Sequence, residues 1–511
     1  MHFFWWTLLS LLLLVVVYDV VQRKHAILRN FPIIGHFRYI LESIGPELRQ
    51  YIVTDNDEER PFTRDQRSWV YASAKEQNNY AGFGTDNRIE DIEGYLIIKQ
   101  SAFPLPEPHK DDPEYDPLHR IPCGKVLGGP RGRKLAFRPE SVLAISAMSY
   151  GSLSSAAIQA LNRGVHIAGG LHNTGEGGIS DHHRQGGDLI YQVGTGYFGA
   201  RDAHGNFSME RLLETVATTD RVRGIEIKLS QGAKPGRGGV LPKEKITPEI
   251  QRIRGITDEK DCISPPGHSA FRDVDSMLDF VESIADATGL PVGIKSAVGD
   301  LGFWEDLATA MESRQRGVDW IAIDGGEGGT GAAPLVFSDH VALPWRVGFP
   351  RVYRTFAERG LHEDVMWLGA GRLGFPQDAL LAMALGADMI YMAREAMLAI
   401  GCIQAQRCHT GHCPTGVATQ NKWLVRGLDP THKAARLANY LITLRKELMW
   451  LARATGEAHP AFVGLDRFEF LRGRYGSTGP MEVFGYQPGW GLPTEQRRRE
   501  IEAVLAEKPH G

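Results

Sequence analysis

The sequence predicts an α/β chain whose main body is a (β/α)8 TIM barrel, and three observations predict it. Eight short apolar runs recur between positions 143 and 392, amphipathic segments of helix length separate them, and glycines gather directly after them. The runs are Leu143–Met148, Gly170–Asn173, Leu189–Val193, Ile225–Leu229, Val292–Lys295, Trp320–Asp324, Met366–Gly369 and Met389–Met392. Near-continuous apolar strands belong to a parallel sheet covered by helices, and eight such units close into a barrel. In barrels the chemistry collects at the C-terminal strand ends, where this chain concentrates its glycines.

Composition sets the outer bounds. A chain of 511 residues, 42% hydrophobic and 23% charged, can bury one large core with additions around it. A net charge of −4 gives no global basic field, so nucleic acid is not expected as a partner. Residues 1–22 read as a transmembrane anchor, because Phe3 to Tyr18 is apolar apart from Thr7 and Ser10, and Val20 and Val21 extend the run. No basic n-region or small-residue cleavage site marks a secretory signal; a buried or partner-facing helix is the competing reading. Arg23, Lys24 and Arg29 follow the run, which places the rest of the chain in the cytoplasm as a single-pass protein of the inner or cell membrane. Residues 23–137 are polar and Pro-rich and read as an N-terminal extension packed on the barrel; 138–425 is the barrel itself. Residues 426–511 form a C-terminal helical extension, with an amphipathic helix near Leu437–Leu451 and a charged one over Glu495–Glu507.

The strand-end loops hold the candidate chemistry. After the first run, Ser146–Ala147–Met148–Ser149–Tyr150–Gly151 offers small residues against which a planar ring can lie, although tight βα turns share that pattern. After the second, Asn173, Thr174 and Glu176 stand among glycines, a mixture that suits ligand recognition. The fourth run leads into Lys228, Gln231 and Lys234 within a glycine-rich loop, whose cations suit a dicarboxylate. Lys295 ends a buried strand and must find an anionic partner, for which a flavin N1–C2=O edge would serve.

The sixth loop, Asp324–Gly325–Gly326–Glu327–Gly328–Gly329–Thr330–Gly331, opens backbone N–H groups to a ligand and offers Glu327 as an acid or base. The seventh, Gly369–Ala370–Gly371–Arg372–Leu373–Gly374, matches the dinucleotide fingerprint GxGxxG. It stands late in a βα series and is followed by a strand ending in Ala393–Arg394, which favours the barrel phosphate site and a flavin phosphate over NAD. Finally, Cys402, Cys408 and Cys413–Pro414 can wrap three thiolates round an iron–sulfur cluster. A zinc site using His409 or His412 competes, as do three unliganded thiols.

Several of these segments occur in one order: Ser146 to Gly178, Glu226 to Gly239, Glu327 to Pro334 and Gly401 to Gln420. In that order they resemble the FMN-binding synthase domain of the glutamate synthases, and the cysteine segment ending Cys413–Pro414–Thr415–Gly416 is the most diagnostic. The resemblance implies FMN and a [3Fe–4S] cluster on Cys402, Cys408 and Cys413. It implies an oxidoreductase making 2-iminoglutarate from 2-oxoglutarate and ammonia and reducing it, with Lys228, Gln231 and Lys234 holding the oxoacid. Lys295 and Glu327 carry the catalytic roles. Cofactor contacts fall at Ala147, Met148, Ser149, Asn173, Glu176, Gln192, Lys295, Gly328, Gly329, Gly371, Arg372, Ala393 and Arg394.

Departures from the family leave alternatives open. The glutaminase domain's N-terminal cysteine has no counterpart before Cys123, so external ammonia or an amine is expected, with a ferredoxin or reductase subunit as electron donor. Gly369–Ala370–Gly371–Arg372 also differs from the usual seventh loop, which leaves the phosphate contacts open. A membrane-tethered electron-transfer subunit and an N-substituted glutamate synthase are the other readings.

Overall fold

The eight apolar runs are eight parallel strands: β1 (Leu143–Ile145), β2 (Leu171–Asn173), β3 (Asp188–Val193), β4 (Val222–Lys228), β5 (Val292–Ser296), β6 (Trp320–Asp324), β7 (Met366–Ala370) and β8 (Met389–Met392). In this computed structural model, which describes residues 2–22, 25–112, 115–256 and 260–506, each strand pairs with the next. β8 returns to β1, with Ile390 opposite Leu143, and the barrel closes. Closure leaves no sheet edge, which is why strands of three to seven residues suffice.

The covering helices carry their own start signals. Ser154 caps Ser155–Ala168 by accepting from Ala157 N, and Asp273 with Ser276 forms a capping box at Val274–Thr288. The 25-residue helix Pro430–Ala454 is capped by Asp429 and lies against Ser155–Ala168. Their approach runs through Gly164, where a Cβ would stand 2.8 Å from Leu437 Cβ.

Inside the barrel, one indole takes the space that two strands leave. Trp320 of β6 lies across Gly224 of β4 and Gly293 of β5, where added Cβ atoms would stand 2.9 Å and 2.0 Å from its ring. The strands' N-terminal ends are tied by ion pairs. Arg133 Nε donates to Asp319 Oδ2 at 3.0 Å and its Nη1 to Glu282 Oε2 at 2.6 Å, while Val292 N donates to Asp319 Oδ2 at 2.7 Å. Lys125 Nζ pairs with Asp388 at 3.2 Å and donates to the carbonyls of His362 and Val365.

The chain divides into two compact units, Met1–Trp69 and Val70–Gly511. That boundary falls inside the stretch 23–137. From residue 70 onward the extension belongs with the barrel's unit, where Leu96–Ile98 pairs antiparallel with Phe468–Arg472. In the first unit the helix His2–Val21 includes 19 residues, Phe3–Val21, long and apolar enough to cross a membrane, with only 6% of that stretch buried. Asp19 near its end is the exception, accepting from Ile33 N at 2.9 Å and bonding His36 Nε2. Arg23 and Lys24, which set the expected orientation, lie outside the described residues, as does Glu507; the last charged helix is Glu495–Ala506.

Candidate active site

The residues expected to carry chemistry meet at the C-terminal mouth of the barrel, in three groups. In the first, Lys228 at the end of β4 donates to Glu176 Oε1 and to Gln231 Oε1, both at 2.9 Å. Burial alone would raise the Glu176 carboxyl, but Lys228 beside it holds it below its usual range. Two glycines make room for that carboxylate: a Cβ at Gly239 would stand 2.1 Å from Glu176 Oε1, and one at Gly194 2.5 Å from Oε2. Lys234, buried where Lys228 and Glu176 are only half-buried, donates to Ala332 O at 2.9 Å. Burial, and then repulsion from Lys228, brings its ammonium down to about 8. Two cations beside one carboxylate leave a net positive subsite, the charge that a dicarboxylate ligand requires.

The second group joins strands five to eight. Lys295 Nζ, buried at the end of β5, pairs with Asp324 Oδ2 at 3.5 Å and reaches Ser146 Oγ at 3.5 Å. The anionic partner demanded by its burial is therefore supplied within the protein. Asp324 also accepts from Gly232 N, bringing the β4 and β6 loops together. Both Glu327 oxygens accept from Trp345 N, at 3.0 and 2.9 Å, so this carboxylate caps the helix Trp345–Ala357. Burial pushes its pKa up, and Asp324 adds to the effect. Arg394 donates to Glu327 O and lies against Gly329, where a Cβ would stand 2.6 Å from Arg394 Cδ. Arg372 stands near both, with φ 56°, after Gly371 at φ 154°. Two guanidinium groups beside glycine backbone suit a phosphate. Ala393 opens the short helix Arg394–Ala399 there, and Gly328 packs over Gly325 O.

Asn173 and Gln192, at the ends of β2 and β3, are tied into the barrel. Both side chains turn into the barrel and donate to Glu226 of β4, at 2.8 and 2.7 Å. Ala147, Met148 and Ser149 follow β1 against Gly175, where a Cβ would stand 2.5 Å from Ser149 N; Arg254 donates to Ser149 Oγ at 3.3 Å.

The third group is the cysteine loop. Positive φ at Gln404, Gln406, Gly411 and Gly416 turns the chain repeatedly. Burial raises the Cys413 thiol, but N–H groups of Ala418, Thr415 and Val417 and the Thr415 hydroxyl outweigh it and hold the thiol below its usual range. Cys408 is pushed up by burial and by the charge of Cys413. Cys402 Sγ accepts from Gln404 N at 3.4 Å. Among the described residues, no three His, Cys, Asp or Glu side chains gather closely enough to hold a metal ion. Gln420 Nε2 fastens the loop to the carbonyls of Gly151 and Leu153 after β1.

Residues 134–458 match the conserved region in glutamate synthase. The chain belongs to the glutamate synthase family. Among its relatives, the glutamate synthase large subunit-like protein YerD of Bacillus subtilis is 38% identical over 86% of this chain and 89% of its own length. The archaeal glutamate synthase [NADPH] of Methanocaldococcus jannaschii is 36% identical over 65% of this chain and 61% of its own, so the chain spans about three fifths of that relative. Among solved structures, an active chimera of (S)-mandelate dehydrogenase aligns with a TM-score of 0.44 and 14% identity over 84% of this chain and 98% of its own. Family membership makes the chain a glutamate synthase-like oxidoreductase.

Glu226, Asp324 and Arg254 are site residues that reading the sequence missed. Glu226 carried a legible signal: an acid between Ile225 and Ile227 in a buried strand needs partners as much as Lys295 does. Arg254 had no local signal, since it ends a helix far from any strand end.

Proposed function

We propose that the chain reduces the imine formed from a 2-oxoacid, foremost 2-oxoglutarate, and external ammonia or an amine, giving glutamate or an N-substituted glutamate. The reading rests on one observation above the rest: Lys228, Lys234 and Lys295 converge at the barrel mouth beside the glycine loops after β6 and β7. Those loops fit FMN, because Gly329 lets Arg394 lie directly against loop backbone and Gly371 precedes Arg372, the two guanidinium groups that would hold the phosphate. When bound, FMN supplies the reducing equivalents for the imine carbon. Lys228 and Lys234 bind the two carboxylates, and Gln231 holds Lys228 in place. Lys295 sets positive charge where negative charge builds on reduction. Glu327, with its raised pKa, holds the proton exchanged with the substrate nitrogen.

Cys402, Cys408 and Cys413 are proposed to be the residues that would hold a [3Fe–4S] cluster, which would supply electron transfer from a ferredoxin-type carrier or reductase subunit. The thiolate-favouring N–H groups round Cys413 and the repeated turns of its loop support that assignment. Phe3–Val21 is proposed as a single-pass anchor in the cell membrane, with the barrel, 138–425, on the cytoplasmic side; its length and exposure support this.

Anaerobic purification with a visible spectrum and iron analysis tests the cofactors. Reoxidation of the photoreduced protein by 2-oxoglutarate with ammonium, or with an alkylamine, tests the reaction. A yellow-brown protein containing iron and reoxidised by one of these pairs is expected. A colourless protein, or a flavin indifferent to every oxoacid and amine pair, overturns the reading.

A further inference from the structure

The least expected group in the barrel is Glu226, a fully buried carboxylate in an interior that barrels ordinarily fill with aliphatic layers. Four uncharged donors from four other strands meet it. Asn173 Nδ2 (2.8 Å) and Gln192 Nε2 (2.7 Å) donate to Oε1; Trp320 Nε1 (3.2 Å) and Tyr391 OH (3.1 Å) donate to Oε2. Four neutral donors fill both carboxylate oxygens with hydrogen bonds without adding charge. Asn173 Nδ2 also reaches Tyr391 OH at 3.2 Å, and Lys295 Nζ stands 5.9 Å from the Tyr391 ring centre. The carboxylate is thus the hub from which the floor of the mouth is built.

We infer that Glu226 is a positioning residue that sets the direction of two amides, and through them the acceptors presented to the bound ligand. A carboxylate can only accept, so each amide must turn an N–H toward it and its carbonyl oxygen away. At Asn173 the outward oxygen is already employed: Oδ1 accepts from Gly175 N at 3.0 Å and fixes the loop that carries Glu176, the partner of Lys228. At Gln192, Oε1 accepts no hydrogen bond from the described residues, while Nε2 is held on Glu226 and the backbone N on Thr174 Oγ1. An amide so held offers an acceptor and no donor. It selects a ligand edge that carries an N–H, as the flavin imide does. The Gln192 half of the inference rests on the FMN reading above; the Asn173 half does not.

Glu226→Gln keeps the volume but adds an NH2 of its own, so both amides are released to flip. In flavin-free protein, the Gly175 amide is expected to exchange with deuterium at least tenfold faster in E226Q than in the wild type, while amides of β5 and β7 are unchanged. In FMN titrations, E226Q and Q192L are each expected to bind at least tenfold more weakly, and the double variant no more than about twofold more weakly than Q192L alone, because both act through one oxygen. Trp320→Phe, which leaves both Oε1 bonds in place, is expected to keep FMN affinity within about threefold even if E226Q fails to fold.

Wild-type exchange and wild-type FMN affinity in E226Q overturn the inference. Additive losses in the double variant reduce Glu226 to a packing residue, as does a W320F loss equal to that of Q192L. Wild-type protein that takes no FMN overturns the functional reading and the Gln192 half together, and leaves Gly175 exchange to decide the rest.

Discussion

The two ends of the barrel hold similar charges to different purposes. At the N-terminal end, Arg133 is matched by Asp319 and Glu282, and Lys125 by Asp388 and two carbonyls, so the cations are consumed by the fold. At the C-terminal end, Lys234 hydrogen-bonds only a carbonyl among the described residues, the one carboxylate near it, Glu176, is paired with Lys228, and Lys295 meets Asp324 at a long 3.5 Å. Saturated pairs stabilise; under-matched cations wait for an anion. The difference separates structural from functional charge without reference to any relative.

Breaking the saturated end should cost the most. Arg133→Leu strips the buried Asp319 and the half-buried Glu282 of the guanidinium they share, and a loss of about 3–5 kcal/mol is expected by urea denaturation, with kcat/KM of the folded fraction unchanged. An equal loss of activity would show that the two ends are not separable. Lys295→Met should act chiefly on turnover, lowering it by roughly 10²–10³ with a smaller shift of the urea midpoint than Arg133→Leu, because Asp324 loses a long ion pair but keeps the Gly232 N–H.

The smallest effect is a pH profile. With its pKa at about 8, Lys234 is charged at pH 7 and only about a tenth charged at pH 9, so KM for 2-oxoglutarate should rise about tenfold across that range with kcat little changed. The cation is lost as pH rises through the depressed pKa, so the change must run in that direction. In Lys234→Ala the slope should vanish. A profile that keeps its slope assigns the titration to another group.

The barrel was legible because its signals are local: eight apolar runs, each punctuated by glycine, and all eight are strands. Lys228 and Lys295 were legible for a related reason, since a charge ending a buried strand can only face the mouth, and Gln231 and Lys234 follow Lys228 in the same loop. What escaped was pairing across the barrel. The family resemblance put Asn173 and Gln192 at the cofactor, but nothing local says that their N–H groups are held by Glu226, some 53 and 34 residues further along the chain. Asp324 was visible but without a role until the closed ring set it beside Lys295. Nothing within a few residues of Arg254 says that it reaches Ser149, because that contact depends on where a loop of the fourth unit is laid over the first.

The indole of Trp320 ties the variation of three positions together. Any side chain at Gly293 would occupy the volume of its ring, and one at Gly224 would crowd its edge. Trimming the indole alone opens a void and strips Glu226 of a donor. The three sites therefore form a lock that random drift cannot pick one pin at a time: a viable path through sequence space must change strands four, five and six in concert, and must find Glu226 another partner on the way.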